Sequence, residues 1–127
     1  MPVRGIIITH ALLAEAFIAT VEQIAGKQEY LQALSNLGLS NDELARRMRE
    51  FLADGEPTII FTDFNAGSTY AVARQVVDSC RPKENAACAA LTGVNLPMLI
   101  SFVTKRDQLP FADLVEILRQ DGHRGIQ

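Results

Sequence analysis

His10 and Asp63 are the two residues whose types and positions could do chemistry together. Each closes a short apolar, β-branched run that ends in threonine: Gly5-Ile6-Ile7-Ile8-Thr9-His10 and Thr58-Ile59-Ile60-Phe61-Thr62-Asp63. Apolar runs this short, without alternation, read as strands buried on both faces. In open α/β sheets the rim at the C-terminal ends of the strands is where ligands bind. If these two strands are neighbours, His10 and Asp63 meet at that rim. A carboxylate on one imidazole nitrogen fixes the tautomer and stabilises the imidazolium formed when the other nitrogen reacts. Asp63 is then the orienting group, His10 a nucleophile or general base, and Thr9, next to His10, a supporting residue.

A third feature falls on the same rim. Ala66-Gly67-Ser68-Thr69 follows Asp63 and opens a helix. The first N–H groups of a helix lack intrahelical partners, and its dipole favours an anion there by about 0.3–1 kcal/mol. Gly67 lets a phosphate approach closely, and Ser68 and Thr69 add hydroxyl donors, so all four residues are candidates for phosphate binding. A histidine, a carboxylate and a phosphate cradle at one rim suit a phosphohistidine. Taken singly, each part has an ordinary reading: a structural histidine, a turn-forming aspartate, a helix cap. Their joint placement at corresponding strand ends favours the site. His123, in the polar tail, reads as a solvated surface residue.

Composition bounds the rest. The chain of 127 residues suits one domain, 1–127, long enough to bury a core. Hydrophobic residues make up 48% and charged residues 21%, as in ordinary globular proteins, and the net charge of −3 argues against non-specific nucleic-acid binding. Two cysteines, Cys80 and Cys88, are too few for a disulfide framework and read as reduced packing thiols. There is no CxxC or HExxH spacing, no GxGxxG and no GxxxxGK[ST], so neither a metal nor a bound cofactor is expected. No signal peptide and no apolar run of roughly 20 residues occurs, and a cytoplasmic location is expected.

The elements that must position these residues follow from periodicity. Strands are expected at 4–9, 29–35, 58–63 and 85–93. A helix over 11–26 carries Leu13, Phe17, Thr20 and Ile24 as its inner stripe and stops at Gly26. SNDE at 40–43 is a capping box opening a helix over 41–54, with Leu44, Met48, Phe51 and Leu52 inward. A third helix, with Ala73, Val76, Val77 and Cys80 inward, runs to about residue 81 and ends at Pro82. Asn95 caps a fourth, with Pro97 in its first turn and Met98, Leu99, Phe102 and Val103 on its apolar side. A fifth spans 110–120, with Phe111, Leu114, Val115 and Leu118 inward, and Gly122 ends it. The tail His123–Gln127 forms a short antiparallel edge strand or has no regular structure. Strands alternating with helices define a three-layer α/β fold, an open parallel sheet with helices on both faces.

The residues that carry the chemistry also carry a resemblance. Ile6–His10, the stretch Thr62–Thr69 and the segment Thr92-Gly93-Val94-Asn95-Leu96-Pro97-Met98-Leu99 resemble the mannose-family enzyme IIA component of the bacterial phosphoenolpyruvate-dependent sugar phosphotransferase system. Glu15 and the stretch 106–115 add to the likeness, which covers nearly the whole chain. The resemblance implies a phosphocarrier that takes a phosphoryl group from the carrier protein HPr and passes it to a histidine of enzyme IIB. His10 is then the phosphorylated residue, Asp63 its orienting carboxylate, and Ser68 with nearby amides the holder of the phosphoryl oxygens. It implies strand order 2-1-3-4 and a homodimer with a C-terminal edge strand contributed across it. Contact with the membrane is only indirect, through the permease. The loop departs from the family form: Ala66 replaces a glycine, Thr69 a proline, and Asn65 a bulky apolar residue. Ala66 fits if its φ is negative. Two other roles are compatible with the same residues: a regulatory module that senses phosphorylation without a dedicated permease, and the phosphotransfer subunit of dihydroxyacetone kinase.

Overall fold

Successive side chains of a strand point to opposite faces, so the three consecutive isoleucines of the first strand feed two different cores. Ile7 packs on one side of the sheet, Ile6 and Ile8 on the other. The computed structural model describes residues 3–80 and 87–127. In chain order these form β1 (Arg4–Thr9), α1 (Leu13–Ala25), β2 (Leu31–Ser35), α2 (Asn41–Leu52), β3 (Thr58–Thr62), α3 (Ser68–Cys80), β4 (Cys88–Leu91), α4 (Leu96–Lys105) and α5 (Phe111–Arg124). The four strands form one parallel sheet in the order β2-β1-β3-β4.

One core lies between the sheet and α1, α4 and α5. It gathers Ile7, Ile59 and Phe61 with Val21, Leu99, Phe102, Leu114 and Leu118. The Phe61 and Phe102 rings meet edge to face, 5.3 Å between centroids. The other core joins Ile6, Ile8 and Ile60 to Leu44 and Met48 of α2 and Val72, Ala73, Val76 and Val77 of α3. The middle strands are covered on both faces, which is why β1 and β3 contain no exposed position after Arg4.

Local signals hold where they are strong. Ser40 and Glu43 form the reciprocal capping box, and Asn95 caps α4 with Pro97 in its first turn. Gly26 closes α1 at φ 85°. Three expectations are corrected. The buried stripe of α1 is Ala14, Phe17, Ile18 and Val21, whereas Leu13 and Ile24 are exposed. Apolar residues populate both stripes; the one that packs on the sheet begins at Ala14, whose N–H the Thr9 hydroxyl takes at 2.7 Å. Gly122 does not end α5. It lies buried within it, where a Cβ would come 3.0 Å from the Met98 terminal methyl, so its role is close packing of α5 on α4. Accordingly His123 and Arg124 are the last turn of α5 rather than an edge strand, and His123 is exposed. Residues 85 and 86 of the fourth expected strand, and the stop at Pro82, lie outside the described residues. Cys80 is partly buried and Cys88 buried, and neither forms a disulfide.

Candidate functional site

Parallel pairing of β1 with β3 puts Ile8 opposite Thr62, so the residues just beyond, His10 and Asp63, emerge side by side at the rim. Their contact is double. One carboxylate oxygen of Asp63, Oδ2, accepts the backbone N–H of His10 at 2.9 Å and lies 2.7 Å from its ring Nδ1. The other, Oδ1, accepts the Thr69 hydroxyl at 2.7 Å and the Phe64 N–H at 3.2 Å. An ionised carboxylate only accepts hydrogen bonds, so Nδ1 must carry the proton. The lone pair of the neutral ring then resides on Nε2. The His10 side chain is 40% exposed and that of Asp63 10%, so the imidazole can be reached from solvent while its partner is shielded.

The carboxyl of Asp63 titrates below the usual aspartate value. Burial pushes it up, but the His10 backbone N–H, the Thr69 hydroxyl and the His10 ring together outweigh that. At neutral pH Asp63 is therefore an anion.

The chain makes an unusual turn directly after the histidine. Ala11 sits at φ 50°, a left-handed conformation that costs a non-glycine residue about 1–2 kcal/mol. Two residues at the end of β2 hold it: Asn36 Oδ1 accepts the Ala11 N–H at 3.3 Å, and the Ser35 hydroxyl donates to the Ala11 carbonyl at 2.6 Å. Sequence reading passed over Ala11, Ser35 and Asn36. The available signal was positional, since Ser35 and Asn36 end a strand at the same rim as His10. Thr9 is fully buried, and its hydroxyl takes up the Ala14 N–H of α1.

The four loop residues divide into different roles. Ala66 is exposed and its φ is not positive, so the alanine fits there without strain. Gly67 is buried beside the imidazole: a Cβ there would stand 2.7 Å from His10 Cε1 and 2.9 Å from a Phe64 ring carbon. The demand for glycine is thus absence of a side chain. Its N–H turns back to the Phe64 carbonyl at 3.3 Å. Ser68 is half-buried and begins α3. Thr69 is fully buried, and its hydroxyl proton goes to Asp63. A phosphoryl oxygen needs a donor, and in this structure the Thr69 hydroxyl donates to the carboxylate. Phe64, also missed from sequence, is half-exposed with its ring centroid 5.3 Å from that of His10. Among the described residues no three His, Cys, Asp or Glu side chains group as metal ligands would.

A histidine at one strand end and a carboxylate at the end of the next meet at the switch point of a doubly wound sheet, a geometry that can serve a nucleophilic imidazole. Residues 5–118 match the family described as the IIA component of the fructose phosphotransferase system, the mannose-type IIA group, and the chain belongs to that family. It is 32% identical over 133 residues to the mannose-specific EIIAB component of the phosphotransferase system of Escherichia coli K12. That match takes in all of this chain and 39% of the relative, so the chain spans about two-fifths of the length of the curated relatives it matches. Among solved structures, the phosphotransferase system component EIIA from Streptococcus agalactiae superposes with a TM-score of 0.91 at 24% identity, covering 98% of this chain and 95% of that one. The mannose/sorbose-specific IIA subunit from Enterococcus faecalis gives 0.78 at 19% identity, over 100% and 94% of the two chains. These likenesses establish the shared fold, including the strand order 2-1-3-4.

Proposed function

We propose that the chain is a phosphocarrier in sugar uptake: His10 accepts a phosphoryl group from phospho-HPr and passes it to a histidine of enzyme IIB. The observation that carries this is the 2.7 Å contact between His10 Nδ1 and Asp63 on a ring that is still 40% exposed. The lone pair of Nε2 attacks phosphorus, the N–P bond of the donor histidine breaks, and its electron pair returns to the donor ring. The positive charge that develops on the His10 ring is stabilised through Nδ1–H by anionic Asp63. A loose phosphoryl transition state asks mainly for alignment and for donors facing the equatorial oxygens. In this reading Ser68 and the first-turn amides of α3 supply them, which the close approach of Gly67 to Cε1, the ring carbon between the two nitrogens, supports.

The surroundings of His10 favour a protein as donor. Leu12 and Leu13 follow it in the chain, Phe64 packs on its ring, Leu37 belongs to the same turn as Asn36, and all four are exposed. Such an apolar collar fits docking of a protein face better than capture of a small polar substrate. We extend the reading to a homodimer formed along the outer edge of β4, beside a groove lined by Ala89, Ala90, Leu91, Arg74 and Arg119. Sedimentation equilibrium at micromolar concentration tests it, and a monomer there would refute it. No helix among the described residues is long and apolar enough to cross a membrane, which is compatible with action from the cytoplasm.

Incubation with phosphoenolpyruvate, enzyme I and HPr should add one acid-labile phosphate. Phosphorus–nitrogen coupling in the nuclear magnetic resonance spectrum should place it on Nε2. Folded His10→Ala that takes up label as well as wild type would overturn the proposal.

A further inference from the structure

We propose that Thr69 is a positioning residue: its buried hydroxyl indexes the Asp63 carboxylate against α3, so that Oδ2 stays on His10 and the ring is kept in the tautomer that leaves Nε2 free. The consequence for phosphoryl transfer rests on the reading of His10 as acceptor; the effect on the tautomer does not.

The need for such a residue follows from the aspartate itself. The torsion that turns a carboxyl group about its last bond is broad and nearly two-fold, so packing alone sets it loosely. In this site the two oxygens have different tasks. Oδ2 serves both the backbone N–H and the ring of His10, at 2.9 and 2.7 Å. Oδ1 has two donors. The Phe64 N–H, at 3.2 Å, belongs to the next residue and travels with the backbone of Asp63. The Thr69 hydroxyl, at 2.7 Å, comes from α3 and, among the described residues, is the only donor that ties Oδ1 to a different element. Thr69 is fully buried, so water cannot readily stand in for its hydroxyl. The chain of donation runs Thr69 to Oδ1 and Nδ1–H to Oδ2, and it joins α3, the end of β3 and the end of β1. Among the described residues the titratable group facing Asp63 is His10 alone; its other partners, the Thr69 hydroxyl and the Phe64 amide, are neutral.

The variants are Thr69→Val, nearly the same shape without the hydroxyl, Thr69→Ala as a second hydroxyl-free form, and Thr69→Ser, which keeps the hydroxyl and loses the methyl. Nitrogen-15 spectra of the folded protein should find His10 almost wholly as the Nδ1–H form in wild type and Thr69→Ser. A mixture of tautomers is expected in Thr69→Val and Thr69→Ala. The rate of phosphoryl uptake from phospho-HPr should fall about tenfold in the two hydroxyl-free variants, the scale of one hydrogen bond to a charged group. Their acid limb should move to higher pH, because an Asp63 that loses a donor protonates more easily. Unchanged tautomer, rate and acid limb in whichever hydroxyl-free variant folds would overturn the proposal, as would a Thr69→Ser no better than Thr69→Val. If no form, wild type included, accepts phosphate, the phosphocarrier reading fails while the tautomer spectra still decide the role of Thr69.

Discussion

Asp63 is the residue on which the site depends, because it anchors His10 twice, through the backbone and through the ring. Asp63→Asn would place an NH2 group where one of these oxygens now faces donors. The amide can satisfy either Thr69 and Phe64 or His10, but not both sets. Phosphoryl uptake is expected to slow by about 100-fold or more, by analogy with loss of an orienting carboxylate elsewhere. HPr should still bind, as titration calorimetry can check; equal rates for the variant and wild type would remove Asp63 from the mechanism. Gly67 makes a complementary case. An alanine there would set its Cβ 2.7 Å from His10 Cε1, so the imidazole must shift. Displacements of that size cost up to about 100-fold in rate. Gly67→Ala should therefore lose transfer rate with little change in Tm, since the loop lies at the rim and outside both cores.

At the scale of elements, two helix starts look alike from sequence and differ in consequence. The α2 start is closed by Ser40 and Glu43 within one short segment, far from the histidine. Ser40→Ala should cost about 1 kcal/mol of stability and leave phosphoryl transfer unchanged. The α1 start has no capping side chain at its own N-cap, Leu12, and draws on Thr9, at the end of β1. Thr9→Val leaves the Ala14 N–H unpaired in a buried place and should cost about 1–3 kcal/mol, measured by urea denaturation. It should also slow transfer, because His10 lies between Thr9 and the helix that Thr9 fastens. A Thr9→Val as active as wild type would separate the position of α1 from that of His10.

For the molecule as a whole, acid sensitivity should reside in the carboxylates that titrate low, Glu43, Asp54, Asp63 and Asp121, of which the last two join the elements around the site and the C-terminal helix pair. Asp63 joins β3 to β1, and Asp121 joins α5 to α4 through Lys105 Nζ and the Ser101 hydroxyl, each at 2.6 Å. Both titrate below the ordinary value, Asp63 despite burial and Asp121 chiefly because of Lys105. Their folded pKa values therefore lie below the unfolded value of about 3.9. The stabilisation they give is complete above that pH and is lost as the pH falls through the folded values. The urea midpoint should hold near neutrality and fall below about pH 4, and Asp121→Asn should flatten part of that decline. The whole molecule also explains the outcome at α5. The spacing of Phe111, Leu114, Val115 and Leu118 marks its inner face correctly, but its end is set by contact with α4. There Asn95 Nδ2 donates to the Gly122 carbonyl at 3.0 Å and Met98 packs where a side chain would be. A glycine read locally is a stop signal; against a neighbouring helix it is a site of close approach.

Short-range order was legible because it depends on neighbours in the chain: β-branched runs, the Ser40–Glu43 box and Asn95 before Pro97 act over a few residues. His10 and Asp63 were legible because β1 and β3 follow one pattern and a parallel pairing must bring their ends together. Three things waited on the tertiary structure. The burial of α1 on Ala14 and Val21 depends on packing against the sheet and α4, with a hydroxyl from β1 holding the Ala14 N–H. The division of labour in the loop, with Gly67 against the imidazole and Thr69 spent on the carboxylate, depends on distances between elements that no local spacing encodes. The assignment of the Nδ1 proton needed the count of donors around Asp63, and three of those four donors come from outside its immediate neighbour in the chain. The sequence alone determined which groups could react; the packing of α3 and β3 against β1 decided which atom of His10 is free to do so.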